Sequence, residues 1–195
     1  YEIDRSDWSS DVCSSDLGDP DSEHLAMGGP TMLRTVYDYD PVPEVLTNDE
    51  GRYVTGVEGC VWTEYMPTPE RVEYMAWPRM CAIAESGWSE ADKDWDFFTR
   101  RLERHFRVLD LLGVKACRNF FCPYIEFHPD TAHDKVVTIS ADLPDSEIRY
   151  TLDGSEPGPQ SPLYSVPFVI NRSQTVKAVL VRDGRIMGES KTKKY

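Results

Sequence analysis

Along this chain the spacing of apolar and polar positions changes rhythm. Between Gly18 and Pro43, turn formers give way to a short apolar-periodic segment, Met32, Leu33, Val36 and Tyr37, bounded by Pro30 and Pro41, which predicts a loop carrying one short helix. Thr47 and Glu50 stand at capping-box spacing, so a helix is expected after Thr47, giving way near Gly56 to the apolar run "GCVWTE". That run reads as a short buried strand. Thr68 suits an N-cap, Pro69 the first helical position and Glu70 the first turn, so another helix opens there. Val72, Met75, Ala76, Met80, Ile83 and Ala84 fall near one face of it, with a bend expected at Pro78. A further helix from about Asp94 sets Trp95, Phe98, Leu102, His105, Leu109 and Leu112 at alternating three and four spacing and closes at Gly113.

From Val136 onward the period drops to two. "EIRYTLDG" puts Ile148, Tyr150 and Leu152 on one face, and "TVKAVLVRDGRIMG" does the same for Val176, Ala178 and Leu180. Asp153-Gly154 and Asp183-Gly184 are hairpin-type turns, and Pro157, Pro159, Pro162 and Pro167 confine the stretch between them to loops or edges. Residues 125–195 are therefore expected to form a small all-β sandwich, with the boundary near residues 123 to 130. The part before it reads helix, strand, helix, helix. Its one strand has no partner strand in the sequence, yet the backbone groups of a strand need neighbours, so those are expected from upstream or from another chain.

Composition narrows the chemistry. The 195 residues are 40% apolar and carry a net charge of -13, a globular balance that disfavours nucleic acid, whose phosphates are neutralised by clustered Lys and Arg. No apolar run approaches the roughly 18 to 20 residues needed to cross a bilayer, and no charged-then-apolar leader opens the sequence as given. Cys13, Cys60, Cys81, Cys117 and Cys122 make no C-x-x-C pair; Cys117 and Cys122 are close enough in sequence to bridge, while Cys60 and Cys81 read as small hydrophobes. His24, His105, His128 and His133 lack metal-ligand spacing, so neither a metal nor a cofactor is expected, and His105 reads as a core histidine. The acid pair Asp49-Glu50 falls in the first turn of a helix, where carboxylates complement the backbone dipole, and is read as structural. Residues 1–17 have almost no periodicity and repeat Ser-Ser-Asp at Ser9 and Ser14, the translation of a common library adapter; they are read as an artefactual or disordered segment and set aside.

What remains for function is the pair Trp62 and Glu64, two residues apart and thus on one side of a strand. The stretch around them, "GVEGCVWTEY" with "EYMAWPRMCAIAESGWS", resembles the C-terminal end of the catalytic barrel of glycoside hydrolase family 20, the β-N-acetylhexosaminidases, and "VYDYDPVPEVL" matches the segment before it. "IRYTLDGSEPGPQSPLY" through "VKAVLVRDG" resembles the chitobiase/β-hexosaminidase C-terminal domain. The resemblance implies a (β/α)8 TIM-barrel fragment over residues 18–124, with "GCVWTE" as its eighth strand, followed by the accessory sandwich over 125–195. It implies that Trp62 lines the pocket for a sugar 2-acetamido group and that Glu64 accepts hydrogen bonds from sugar hydroxyls away from the scissile bond.

The family's chemistry is substrate-assisted: the acetamido oxygen attacks the anomeric carbon, an aspartate orients it and a neighbouring glutamic acid protonates the leaving oxygen. Those acids belong to an H-x-G-G-D-E type motif that this sequence does not contain, and Asp49-Glu50 lacks the preceding residues. No catalytic residue is therefore assigned, and the family's pocket tyrosine is not assigned to Tyr1. The resemblance implies glycans ending in N-acetylglucosamine or N-acetylgalactosamine as partners and a periplasmic or secreted setting. The second reading is a non-catalytic carbohydrate-binding or structural module, whose mark would be an exposed row of aromatics on the sandwich; Tyr150, Tyr164 and Phe168 are the candidates, with Tyr150 expected to face inward.

Overall fold

A computed structural model describes residues 32–63, 66–89, 93–130 and 134–195. Residues 1–17 and Glu64 fall outside them. The chain divides into two compact units, Tyr1–Cys117 and Arg118–Tyr195, and combines helices with antiparallel sheets.

In the described part of the first unit, all regular structure is helical. Helix α1 (Leu33–Asp38) buries Leu33, Val36 and Tyr37, as its spacing predicts. Helix α2 (Asn48–Gly51) has the full capping box: Thr47 and Glu50 each take the other's backbone amide, which satisfies two donors that a helix start leaves open. It is a single turn, shorter than the run to Gly56 expected from the sequence. Helix α3 (Pro69–Ala76) starts on the Thr68 hydroxyl, which accepts from Arg71 N at 3.3 Å. The bend expected at Pro78 is a break, and the chain resumes as α4 (Arg79–Trp88). Breaking the helix resets its phase, so the face beyond it changes: Arg79 and Ala82 are buried, whereas Met80 is exposed.

Helix α5 (Trp95–Leu111) begins on the Asp94 carboxylate, which accepts from Phe97 N at 3.0 Å, and Gly113 follows its end at φ 74. It buries Phe98, Thr99, Leu102, Phe106 and Leu109; Leu112, expected on this stripe, is exposed. Tyr37 of α1 packs edge-on to Trp95 at 4.9 Å and lies 4.8 Å from Phe98. Lys93 ties the same region together, its ammonium donating to Tyr37 O, Tyr39 O and Ser86 Oγ.

After a 3₁₀ turn (Asn119–Phe121), the second unit holds β1 (Tyr124–Pro129), β2 (Asp134–Ser140), β3 (Glu147–Thr151), β4 (Phe168–Asn171), β5 (Thr175–Arg182), β6 (Arg185–Ile186) and β7 (Lys191–Lys194). One sheet runs β1-β2-β4; in the other β5 is central and pairs directly with β3, with β6 and with β7. All pairs are antiparallel. A single apolar cluster draws on both sheets: Ile125, Val137, Ile139 and Ile170 from the first, Val176 and Ala178 from the second, with Ile148, Tyr150 and Leu152 packed against it. Asp183 and Gly184, both at positive φ, make the two-residue turn between β5 and β6, which matches the twist of paired strands. Val179 and Val181 are buried as well, so β5 is covered on both faces and its alternation is masked.

Candidate functional site

The segment that carries Trp62 lies between two helix starts, and its local chemistry begins with their caps. At α2, the Glu50 carboxylate accepts from the Thr47 amide at 2.9 Å and from its hydroxyl at 2.7 Å. The backbone bond first, then the hydroxyl, holds Glu50 below the usual carboxylate range. Asp49 pairs loosely with Arg52 at 3.9 Å. Both members of the adjacent acid pair are thus occupied with their own helix.

Residues 54–62 then run without regular structure. The strand expected at "GCVWTE" is not formed among the described residues, and the physical reason is the one given by its backbone: no described strand lies beside it to complete its hydrogen bonds. Behind it, a cavity of about 100 Å³ is lined by Gly59 and Val61 on one side and by Met75, Ala76, Arg79, Met80 and Ile83 of α3 and α4 on the other. Arg79 is 2% exposed, and its Nη2 donates to the Met75 carbonyl. A buried guanidinium needs acceptors, so this residue fixes where α4 begins relative to α3. Hydrophobic patterning missed it, because a cation at the first turn of a helix ordinarily reads as solvated; the available signal was its place directly after Trp77-Pro78.

Trp62 is 51% exposed, with its indole standing clear of the cavity. Glu64, its expected companion, lies outside the described residues, so the two are not brought together here. An indole held half in solvent at the end of such a segment offers a flat apolar wall, and an ionised carboxylate offers only acceptors.

Other residues singled out from the sequence settle into packing. The ring of His105 lies 6.1 Å from that of Trp77, half-buried on α5. Burial pushes the Cys81 thiol up to about 12, far from a nucleophile's range. Cys117 and Cys122 are buried thiols with no disulfide joining them. In the second unit, Tyr150 stacks on Phe168 at 4.9 Å and meets Tyr164 edge-on, all three packed against the apolar cluster. They form a partly buried aromatic group packed on the cluster, not an exposed binding row. No group of His, Cys, Asp and Glu able to hold a metal occurs among the described residues, and no described helix is long and apolar enough to cross a membrane.

Comparison with known proteins adds to this geometry. Residues 14–91 match the model of the glycosyl hydrolase family 20 catalytic domain, and residues 137–195 match the Fn3 associated family. A beta-hexosaminidase of Porphyromonas gingivalis is 36% identical over 86% of this chain, and one of Akkermansia muciniphila is 40% identical over 38%. The chain spans 22% and 15% of the lengths of those two proteins. Among solved structures, the GH20 exo beta-N-acetylglucosaminidase of Vibrio harveyi, in complex with N-acetylglucosamine, aligns over 57% of this chain and 18% of its own at 30% identity and TM-score 0.47. The GH20 beta-N-acetylhexosaminidase of Streptomyces coelicolor A3(2) aligns over 57% and 22% at 30% identity and TM-score 0.49. Residues 14–91 thus carry the catalytic-domain pattern of glycosyl hydrolase family 20, within a likeness to beta-hexosaminidases that extends over most of the chain.

Proposed function

We propose that the chain is part of a retaining exo-β-N-acetylhexosaminidase that removes terminal N-acetylglucosamine or N-acetylgalactosamine from glycans. The observation that carries this is the 36% identity with a beta-hexosaminidase across 86% of the chain. On this reading residues 18–124 are the C-terminal end of a (β/α)8 barrel whose eighth strand is "GCVWTE", and residues 125–195 are an accessory β-sandwich. The lack of regular structure over residues 54–62 supports it, since a barrel strand forms only between two neighbours. So does the half-exposed indole of Trp62, which becomes the wall for the 2-acetamido group, with Glu64 accepting from the sugar hydroxyls. The enzyme works in a periplasmic or secreted setting.

Chemically, the sugar's acetamido oxygen attacks the anomeric carbon while the leaving oxygen is protonated, and the two acids for these steps are in the H-x-G-G-D-E motif absent from this sequence. Loss of a general acid alone lowers rate by about 10² to 10⁴, so the isolated chain is expected to release no measurable product from an aryl N-acetylglucosaminide. The deciding experiment is to read the source DNA across and upstream of codons 1 to 30 with long, adapter-trimmed reads. The frame is expected to continue into a His-x-Gly-Gly-Asp-Glu strand, and the extended protein to hydrolyse that substrate. A start codon immediately before Tyr1, or turnover by the isolated chain that survives Glu64→Gln, would overturn the proposal.

A further inference from the structure

Period-two alternation carries the inward faces of four strands past the end of the second unit's apolar cluster, and there the side chains change kind. On β2 the face of Val137 and Ile139 ends at Lys135; on β1 the face of Ile125 runs through Phe127 to Pro129; Arg172 stands in the turn directly after β4, two residues beyond Ile170. On β7, Lys193 is the register partner of buried Val176 and is followed on the same face by Tyr195. Phe127 and Tyr195 pack against the cluster. Lys135 Nζ lies 5.5 Å from the Phe127 ring centre and 4.5 Å from that of Tyr195; Lys193 Nζ is 5.4 Å from Phe127, and Arg172 Cζ is 5.9 Å from Tyr195.

Three cations thus share two rings. The ammoniums that share Phe127 are no farther apart than their two ring distances added, and Lys193 Nζ also donates to the Ile125 carbonyl at 3.1 Å. Among the described residues, none of the three has a carboxylate within ion-pair distance. Glu126 and Asp134, their neighbours in sequence, alternate to the opposite faces of β1 and β2. A ring face attracts each cation singly and does nothing about the repulsion among them. An anion set among the three would relieve it.

We propose that this cluster is an oxyanion site that holds a sulfate or carboxylate group carried on a glycan. Arg172 supplies a planar fork and the two lysines supply point charges, the combination that suits such groups. The oxyanion class rests on the cluster alone; the glycan as its carrier rests on the hexosaminidase reading. With a net charge of -13, the chain as a whole repels anions, so capture at this point is a local property.

The test is a set of ¹H–¹⁵N titrations of the full 195-residue chain with N-acetylglucosamine 6-sulfate, inorganic sulfate and neutral N-acetylglucosamine at fixed ionic strength. The sulfated sugar is expected to shift the amides around Phe127, Lys135 and Arg172 saturably, the neutral sugar to leave them unmoved, and added salt to weaken the effect. Lys135→Gln and the exposed Arg172→Gln should each weaken binding about tenfold, whereas Lys194→Gln, on the other face of β7, should not. Inorganic sulfate binding as tightly as the sulfated sugar would keep the oxyanion site and overturn the glycan as carrier. No saturable shift at the cluster with either anion, or shifts unchanged in both variants, would overturn the site. None of these outcomes depends on glycoside hydrolysis, so failure of the hexosaminidase reading would be seen separately.

Discussion

Replacing Gly188 by Ala should unfold the second unit at a markedly lower temperature, although Gly188 lies in a loop. A Cβ there would stand 2.4 Å from the Phe121 carbonyl oxygen and 2.9 Å from both its carbonyl carbon and its Cβ. These separations are far inside van der Waals contact, and two of the three atoms are backbone, which cannot rotate aside. Overpacking of this kind costs about 1 to 3 kcal/mol, and a clash with backbone belongs in the upper half, about 2 to 3. For a unit of this size each kcal/mol moves the midpoint by about 4 to 8 °C, so a fall of roughly 10 to 20 °C is expected. Gly158→Ala is the control, because its Cβ would meet nothing within 4 Å; it should be neutral or stabilise slightly through the unfolded state. Native-state hydrogen exchange read at the β5 amides isolates the second unit, and the difference should quicken exchange about 30- to 150-fold. If Gly188→Ala melts within a degree or two of Gly158→Ala, with matching exchange, the steric argument is wrong.

Three other outcomes are expected. Lys93→Met removes donors to two carbonyls and a hydroxyl at 2.7 to 3.0 Å, so the first unit should lose about 1.5 to 3 kcal/mol in urea titrations, with Lys93→Arg recovering part of it. Cys81, its thiol pushed up to about 12, should resist iodoacetamide at pH 8 in the folded chain and react once denatured, as read by mass spectrometry of its peptide. On the acid side, Lys177 and then Ser190 hold Glu156 below its ordinary 4.5, and hydrogen bonds from Ser155 hold Asp153 below 3.8. A carboxyl lowered in the folded state stabilises above its unfolded value, and that stability is lost as pH falls through the folded one. Stability of the second unit should therefore drop below about pH 4.5, and Glu156→Gln should flatten that drop in pH-dependent melts.

Where structure is set by neighbours in sequence, it was legible from sequence. The Thr47–Glu50 box, the Thr68 and Asp94 caps, Gly113 and the Asp183-Gly184 turn all stand where residue chemistry puts them. Faces were less legible. A helix broken between Ala76 and Arg79 has two phases, so a single stripe through Met80 was not recoverable, and Arg79 took the buried place. On α5, Thr99 and Phe106 are buried and Leu112 is exposed: four-residue steps from Trp95 and from Leu102 reach the buried pair, and periodicity alone does not choose between a step of three and a step of four. The run "GCVWTE" shows the opposite limit: a strand is a property of its partners, and the described residues supply none. Trp62 could be singled out as a residue type at a spacing, but what faces it is not encoded nearby.

The order of strands along the chain also sets a schedule for the ribosome. The first two strands are consecutive and can pair as soon as both have emerged. Strand β3 must wait for β5, about two dozen residues later, and β5 is the common partner of β3, β6 and β7. At synthesis rates of about 5 to 20 residues per second, β3 spends roughly one to five seconds with its edge open. A half-made chain arrested before Thr175 would thus expose Ile148 and Tyr150 to whatever chaperone attends the tunnel exit, and the second sheet would close only during the last moments of translation.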